Sequence, residues 1–155
     1  FKYEILKEFT KSGPKWSLRT IKENHKVKTL EMATKTHYVF NHYRKLFYKG
    51  GEKTITRELL NLLTPRSLAF WICDDGSYEN KQGYIILCTN SFSKEEHKIM
   101  KEYFNEVWDL DPTIGFRDKK YYYLRFKQED TKKLIKITKQ YIPESMKYKI
   151  GEKNG

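Results

Sequence analysis

Thr64-Pro-Arg-Ser-Leu-Ala-Phe-Trp-Ile-Cys-Asp-Asp-Gly-Ser77 decides how the rest of this chain is read. Thr64 before Pro65 is a helix start signal: a hydroxyl cap, then proline at the first helical position, where no amide hydrogen is needed. From Leu68 to Cys73 every side chain is apolar. That run predicts a helix buried all round, or packed against a second copy of itself. Asp74 and Asp75 follow at the helix end where the macrodipole disfavours negative charge. Two carboxylates set against the dipole beside a buried helix imply a bound cation. Gly76 predicts a left-handed stop.

Downstream, residues 78–83 read as a polar turn and Tyr84–Thr89 as a strand. Ser93-Lys-Glu-Glu96 is a capping box that opens a helix through Trp108, with Ile99, Met100, Tyr103, Phe104 and Val107 on its core face. Thr113–Phe126 predicts a hairpin around Asp118-Lys119. Tyr121, Tyr123, Arg125 and Lys127 lie on one of its faces, Tyr122, Leu124 and Phe126 on the other. Asp130 is expected to cap a helix carrying Leu134, Ile135, Ile137 and Ile142 that stops at Pro143. Upstream, Tyr3–Phe9 closes a helix at Ser12-Gly13-Pro14. Trp16–Thr36 alternates as a hairpin turning at Glu23-Asn24-His25, and Tyr38–Phe47 has helical spacing up to Lys49-Gly50-Gly51. Thr56–Leu63 is a short leucine-rich helix. Residues 64–150 therefore form one complete lobe (helix, strand pair, helix, strand pair, helix). Residues 1–63 form a partial lobe lacking its own first helix, and 151–155 a tail.

The chain has 155 residues, enough for a real core, and its aromatic content of 15% argues against disorder. Formal net charge is +11, which points to a polyanionic partner, nucleic acid by default. The excess is uneven: residues 1–63 carry 14 Lys/Arg against 6 Asp/Glu, and residues 64–155 carry 17 against 14. Cys73 and Cys88 sit in apolar settings and fit a reducing compartment, so an intracellular location, cytoplasmic or organellar, is expected. No apolar run has the length of a membrane span and no signal-peptide pattern opens the chain. It opens on Phe1 rather than Met, which leaves open a start inside a longer protein. His25, His37, His42 and His97 lack metal-ligand spacing, so structural zinc is not expected.

Leu68-Ala-Phe-Trp-Ile-Cys-Asp-Asp-Gly76 resembles the second motif of the LAGLIDADG homing endonucleases, in its Leu-Ala-x-Trp-x-x-Asp-Asp-Gly form. The flanks are similar to the family as well: Leu63-Thr-Pro before the motif, Thr89-Asn-Ser-Phe-Ser93 with Glu95-Glu96 after it, and Ile142-Pro143, Met146 and Tyr148-Lys149-Ile150 at the end. Lys53-Thr54-Ile55 resembles the Lys-Thr-Ile-Pro of the two-motif branch, with Thr56 replacing the proline. The resemblance implies an α+β fold of αββαββα order, with a saddle of antiparallel strands and helices on the opposite face. It implies a site-specific, Mg²⁺-dependent DNA endonuclease, intron- or intein-associated, with Mn²⁺ as a substitute ion and staggered cleavage of a long duplex. Asp75 is the implied metal ligand, Asp74 a weaker candidate, and Lys53 and Lys149 the basic catalytic residues.

Family members set two motif helices side by side, with Leu68, Ala69, Ile72 and Cys73 the expected contacts here. This chain has one such helix, so the resemblance implies a homodimer through it, or a first lobe outside the sequence. The hairpin faces are expected to bind double-stranded DNA: Arg19, Lys26, Lys28 and Lys35 in the first half, and Glu79, Lys81, Gln82, Asn90, Arg117, Lys119, Tyr121, Tyr123, Arg125 and Lys127 in the second. Alternating basic and amide side chains on a twisted ribbon suit the major groove. An RNA maturase on the same scaffold and a catalytically idle DNA-binding protein remain alternatives.

Overall fold

The computed structural model describes residues 2–22 and 25–152, with Lys22 by its backbone alone; Glu23 and Asn24 of the expected turn lie outside these. Two compact units divide at Lys45 and Leu46. In the first, helix α1 (Lys2–Leu6) runs into a 3₁₀ turn, Lys7–Phe9, and strands β1 (Lys15–Lys22) and β2 (His25–Glu31) pair antiparallel. A bridge joins Thr10 to Thr34, and the Lys35 amide donates to the Phe9 carbonyl. Thr10 is the buried residue among those described in this unit, so its apolar side chains rest on one another without a deep core. Helix α2 (Val39–Phe47) runs across the division.

The second unit opens with a tight hairpin, β3 (Tyr48–Lys49) and β4 (Glu52–Lys53). Its loop residues Gly50 and Gly51 have φ of 59° and 88°, the left-handed pair that a two-residue hairpin turn needs. Those glycines, read from sequence as a helix end, thus also reverse the chain to deliver Lys53. The helix expected over Thr56–Leu63 is the shorter α3 (Arg57–Leu60), capped by Thr56, and it sends Leu59 and Leu60 into the core with Ile55. Element order divides the chain at 63/64, whereas packing divides it at 45/46, because Ile55 and Leu60 bury against the motif helix and its neighbours.

From Thr64 the order is α4 (Pro65–Asp75), β5 (Gly76–Glu79), β6 (Tyr84–Leu87), α5 (Lys94–Trp108), β7 (Thr113–Arg117), β8 (Tyr121–Phe126) and α6 (Gln128–Thr138), the expected αββαββα. The four strands form one antiparallel sheet in the order β5-β6-β8-β7. Helices α4, α5 and α6 cover one of its faces. Leu68 and Ile72 of α4, Ile85 and Leu87 of β6, Met100 and Phe104 of α5, Leu124 and Phe126 of β8 and Leu134 of α6 form the core between. Phe104 meets Phe126 edge to face at 5.1 Å.

Several sequence expectations change. The segment read as a polar turn from Tyr78 begins as strand β5, whose polar, short sequence hides its pairing with β6. Gly76 is not left-handed: its φ is −77°, and glycine is needed because a Cβ would stand 2.4 Å from the Ile72 carbonyl oxygen. Val107 is 49% exposed, while His97 takes a core position on α5. The cap position of α6 is Lys127, not Asp130, whose carboxylate accepts instead from the Asp111 amide at 3.2 Å. Leu68, Ala69, Ile72 and Cys73, expected to meet a second motif helix, face their own unit's core at 0–3% exposure. The sheet supplies the apolar surface that the run seeks, so this stripe is spent within the lobe.

Candidate functional site

Helix α4 starts under a full capping box, with Thr64 and Ser67 satisfying each other's amides, and ends with Asp74 and Asp75 exposed in its last turn. The close fit of Gly76 over Ile72 lets β5 begin at once. The Cys88 amide donates to the Asp75 carbonyl at 2.9 Å and ties the helix end to the strand exit. Lys149, in the 3₁₀ segment Glu144–Ile150, donates from Nζ to the Gly76 carbonyl at 2.7 Å. A cation at a helix C-terminus offsets the dipole that the two carboxylates oppose.

Lys53 approaches from the other side. Its ammonium lies 5.3 Å from the Phe92 ring centre. With Asp74, Asp75, Phe70, Trp71 and Phe92 it lines a cleft of about 280 Å³. The structure therefore brings together the acids and the lysine of β4, and sets Lys149 one residue beyond Asp75. Among the described residues, no group of three or more His, Cys, Asp and Glu side chains could hold a metal. The carboxylate pair needs ligands from outside itself.

Strand register defines the sheet face turned away from the helices. Ser77 and Glu79 of β5, Tyr84 and Ile86 of β6, Tyr121, Tyr123 and Arg125 of β8 and Thr113, Gly115 and Arg117 of β7 share it. Both arginines are ordered by neighbours. The Arg117 guanidinium lies 5.8 Å from the Tyr123 ring, and Arg125 lies 5.6 Å from the Tyr84 ring while donating from Nε to Thr113 Oγ1 at 3.3 Å. Tyr123 lies flat across Gly115, where a Cβ would come within 2.1 Å of its ring. Lys81, Gln82, Asn90, Lys119 and Lys127 are exposed in turns and strand ends of this unit. Tyr84 and Ile86 were missed as members of this face. Their alternation with buried Ile85 and Leu87 was the available signal.

The first unit's hairpin corrects one grouping. Arg19 pairs across from Val27, whereas Lys26 and Lys28 pair with Thr20 and Leu18, so Arg19 lies on the opposite face from those lysines. Arg19 Nε donates to Glu31 at 2.6 Å, and this bond holds the Glu31 carboxyl below its usual value. Lys28 Nζ sits 4.6 Å over the Trp16 ring. Lys35 follows the strands, its amide bonded to Phe9.

Glu96, read from sequence as a cap and as part of a flank similar to the family, reaches further. Its Oε2 accepts from the Ser93 amide at 2.7 Å, and its Oε1 accepts from the Ile55 amide at 2.9 Å and the Thr54 hydroxyl at 3.0 Å. Partial burial pushes this carboxyl up, but the donors at Ser93, Ile55 and Thr54 outweigh it and hold it below the usual range.

A family model of the LAGLIDADG DNA endonuclease family matches residues 1–134. The chain belongs to the LAGLIDADG DNA endonuclease family. It is 32% identical over 162 residues to intron-encoded endonuclease ai4 of Dictyostelium discoideum, covering 96% of this chain and 99% of that protein. It is 32% identical over 142 residues to cytochrome b mRNA maturase bI2 of Debaryomyces hansenii, covering 89% of this chain and 52% of that protein. The homing endonuclease I-WcaI, solved bound to its DNA recognition sequence, superposes with a TM-score of 0.87 at 28% identity over 96% of this chain and 68% of that one. The chain thus spans about half of that maturase, two-thirds of I-WcaI and nearly all of the Dictyostelium endonuclease. The LAGLIDADG motif helix is α4, and the family's fold is the αββαββα sandwich described above. No helix among the described residues is long and apolar enough to cross a membrane.

Proposed function

We propose that this chain contributes one acidic helix end and one DNA-reading sheet to a site-specific, divalent-metal-dependent DNA endonuclease that makes a staggered double-strand cut in a long target. The observation that supports this most is the meeting of three distant segments at the sheet's β5 edge: Asp75 and Lys53 line one cleft, and Lys149 bonds the carbonyl next to Asp75. Mg²⁺ is held by one or two carboxylates, completed by water and phosphate oxygens. The exposed Asp75, with Asp74 beside it, fits one part of such a site, and Mn²⁺ would substitute. When bound, the ion supplies charge neutralisation at phosphate and activation of water.

Asp75 is the residue that holds the ion. Lys53, facing the cleft, offsets charge developing on the phosphate, and Lys149 braces the helix end while adding positive charge beside it. The ordered Arg117 and Arg125 suit the O6 and N7 acceptors of guanine in the major groove, and the scattered lysines suit phosphate. The second acid that such cleavage requires comes from another motif helix, in a second copy or elsewhere in the protein. The α4 stripe with Ser67, Phe70 and Trp71 half-buried is the surface for that helix. The mass of the protein–DNA complex distinguishes two chains per duplex from one.

The decisive experiment incubates the protein with an intronless target, with and without Mg²⁺. Asp75→Asn is expected to lower cleavage by on the order of a thousandfold with DNA binding retained. Cleavage unaffected by that change would overturn the metal assignment. Likeness to the Debaryomyces hansenii maturase favours a second reading, binding and splicing of a host intron. Tight, specific intron binding without DNA cleavage would establish it.

A further inference from the structure

We propose that Glu96 is a positioning residue for Lys53, acting by clamping the backbone that follows it. This rests on the reading of Lys53 as a residue of the cleavage site. The lysine's own strand is only two residues long, and the contacts that fix it lie at Lys53 and just after it. Lys53 itself pairs with Tyr48 across the hairpin, and the next residue's amide, at Thr54, donates to the Phe47 carbonyl at 2.8 Å. The second grip on the segment that follows is Glu96. One carboxylate oxygen accepts from both the Thr54 hydroxyl and the Ile55 amide, at 3.0 and 2.9 Å.

The other carboxylate oxygen accepts from Ser93, through its amide at 2.7 Å and its hydroxyl at 2.8 Å. Glu96 thus joins the first turn of α5 to the segment carrying Lys53. The same turn is preceded by Phe92, over whose ring the Lys53 ammonium lies. Both ends of the lysine are therefore referenced to one rigid object, the start of a fifteen-residue helix. An ordinary capping box needs only the Ser93 half of these bonds. The bonds to Thr54 and Ile55 cross more than forty residues of sequence and serve no cap.

The test uses the full chain and single-turnover cleavage of target duplex, with DNA affinity measured in parallel. Glu96→Ala is expected to slow cleavage about 10- to 100-fold, the effect of misplacing a reacting group by about an ångström, with DNA affinity unchanged. Ser93→Ala removes the hydroxyl donor to the far oxygen of Glu96 but leaves its bonds to the Ser93 amide, Thr54 and Ile55 in place, and is expected to cleave within about threefold of the wild-type rate. Lys53→Met is expected to be slow, and adding Glu96→Ala to it to cost nothing more, because both changes remove one contribution. If Glu96→Ala does not fold, Thr54→Val removes a single donor and is expected to slow cleavage about 3- to 10-fold.

A Glu96→Ala rate equal to that of Ser93→Ala would overturn the proposal. So would a further loss on the Lys53→Met background, or a wild-type rate from Thr54→Val. Wild-type cleavage by Lys53→Met is a separate result: it would remove the role of Lys53 itself and the proposal with it.

Discussion

The hairpins β1–β2 and β7–β8 are alike in kind, antiparallel ribbons alternating basic and apolar residues, and they differ in what lies behind them. In β7–β8 the alternation becomes inside and outside: Leu124 and Phe126 are fully buried under α5 and α6, and Arg125 faces out. In β1–β2 the even-numbered face carries Trp16, Leu18 and Leu30 at 64%, 72% and 57% exposure, with Lys26 and Lys28 among them. The odd-numbered face carries the Arg19–Glu31 pair. Period-two alternation states that a strand has two faces. Which one leaves water is decided by the layer placed against it.

The largest effect that would sharpen this contrast is on stability. Leu124→Ala should destabilise the second unit by about 2–5 kcal/mol through lost burial and the cavity left behind. Leu18→Ala, at an exposed position, should stay within about 0.5 kcal/mol. Denaturant melts of the two variants compare them directly, and equal losses would break the distinction. Next comes DNA recognition. Arg125→Ala should weaken target binding about tenfold and relax base preference at one position, whereas Lys28→Ala should weaken all sequences alike and flatten the salt dependence. Competition binding at several salt concentrations separates the two behaviours.

The smallest effect is a pH dependence confined to the second unit. His97 Nδ1 lies 2.7 Å from the Ser93 carbonyl, which can only accept, so Nδ1 carries the proton and Nε2 accepts from the Thr89 hydroxyl at 2.7 Å. Burial holds its pKa below the ordinary 6.5. As pH falls below about 6.5, the unfolded chain takes up a proton that the folded one refuses, so stability drops on the acid side and is complete above that pH. Melting temperatures from pH 8 to pH 5.5 should decline, and His97→Gln should flatten the decline. An unchanged slope would show that His97 is not its source.

Much of this was legible in the chain itself. Thr64-Pro65 and Ser93–Glu96 announce helix starts through chemistry contained in four residues, and the structure has both capping boxes. Alternation separated Leu124 and Phe126 from Tyr123 and Arg125 correctly. The extent of β5 was hidden because Gly-Ser-Tyr-Glu is short and offers the core a single aromatic, Tyr78. Its existence depends on pairing with β6. Asp130 looked like a cap by composition, yet α6 starts two residues before it and its carboxylate serves the Asp111 amide instead.

The sequence by itself determined where the capped helices α4 and α5 begin, that one helix is apolar through six successive residues, and that two acids close it. Those are properties of neighbours along the chain, governed by local hydrogen bonding and by the periods of helix and strand. Only the tertiary structure decided that Leu68, Ala69, Ile72 and Cys73 face their own core, that Lys53 and Asp75 line one cleft, and that Lys149 reaches the Gly76 carbonyl. It alone revealed Glu96 joining a helix cap to a strand end forty residues earlier. Such meetings depend on how the layers pack, and no local pattern carries that information.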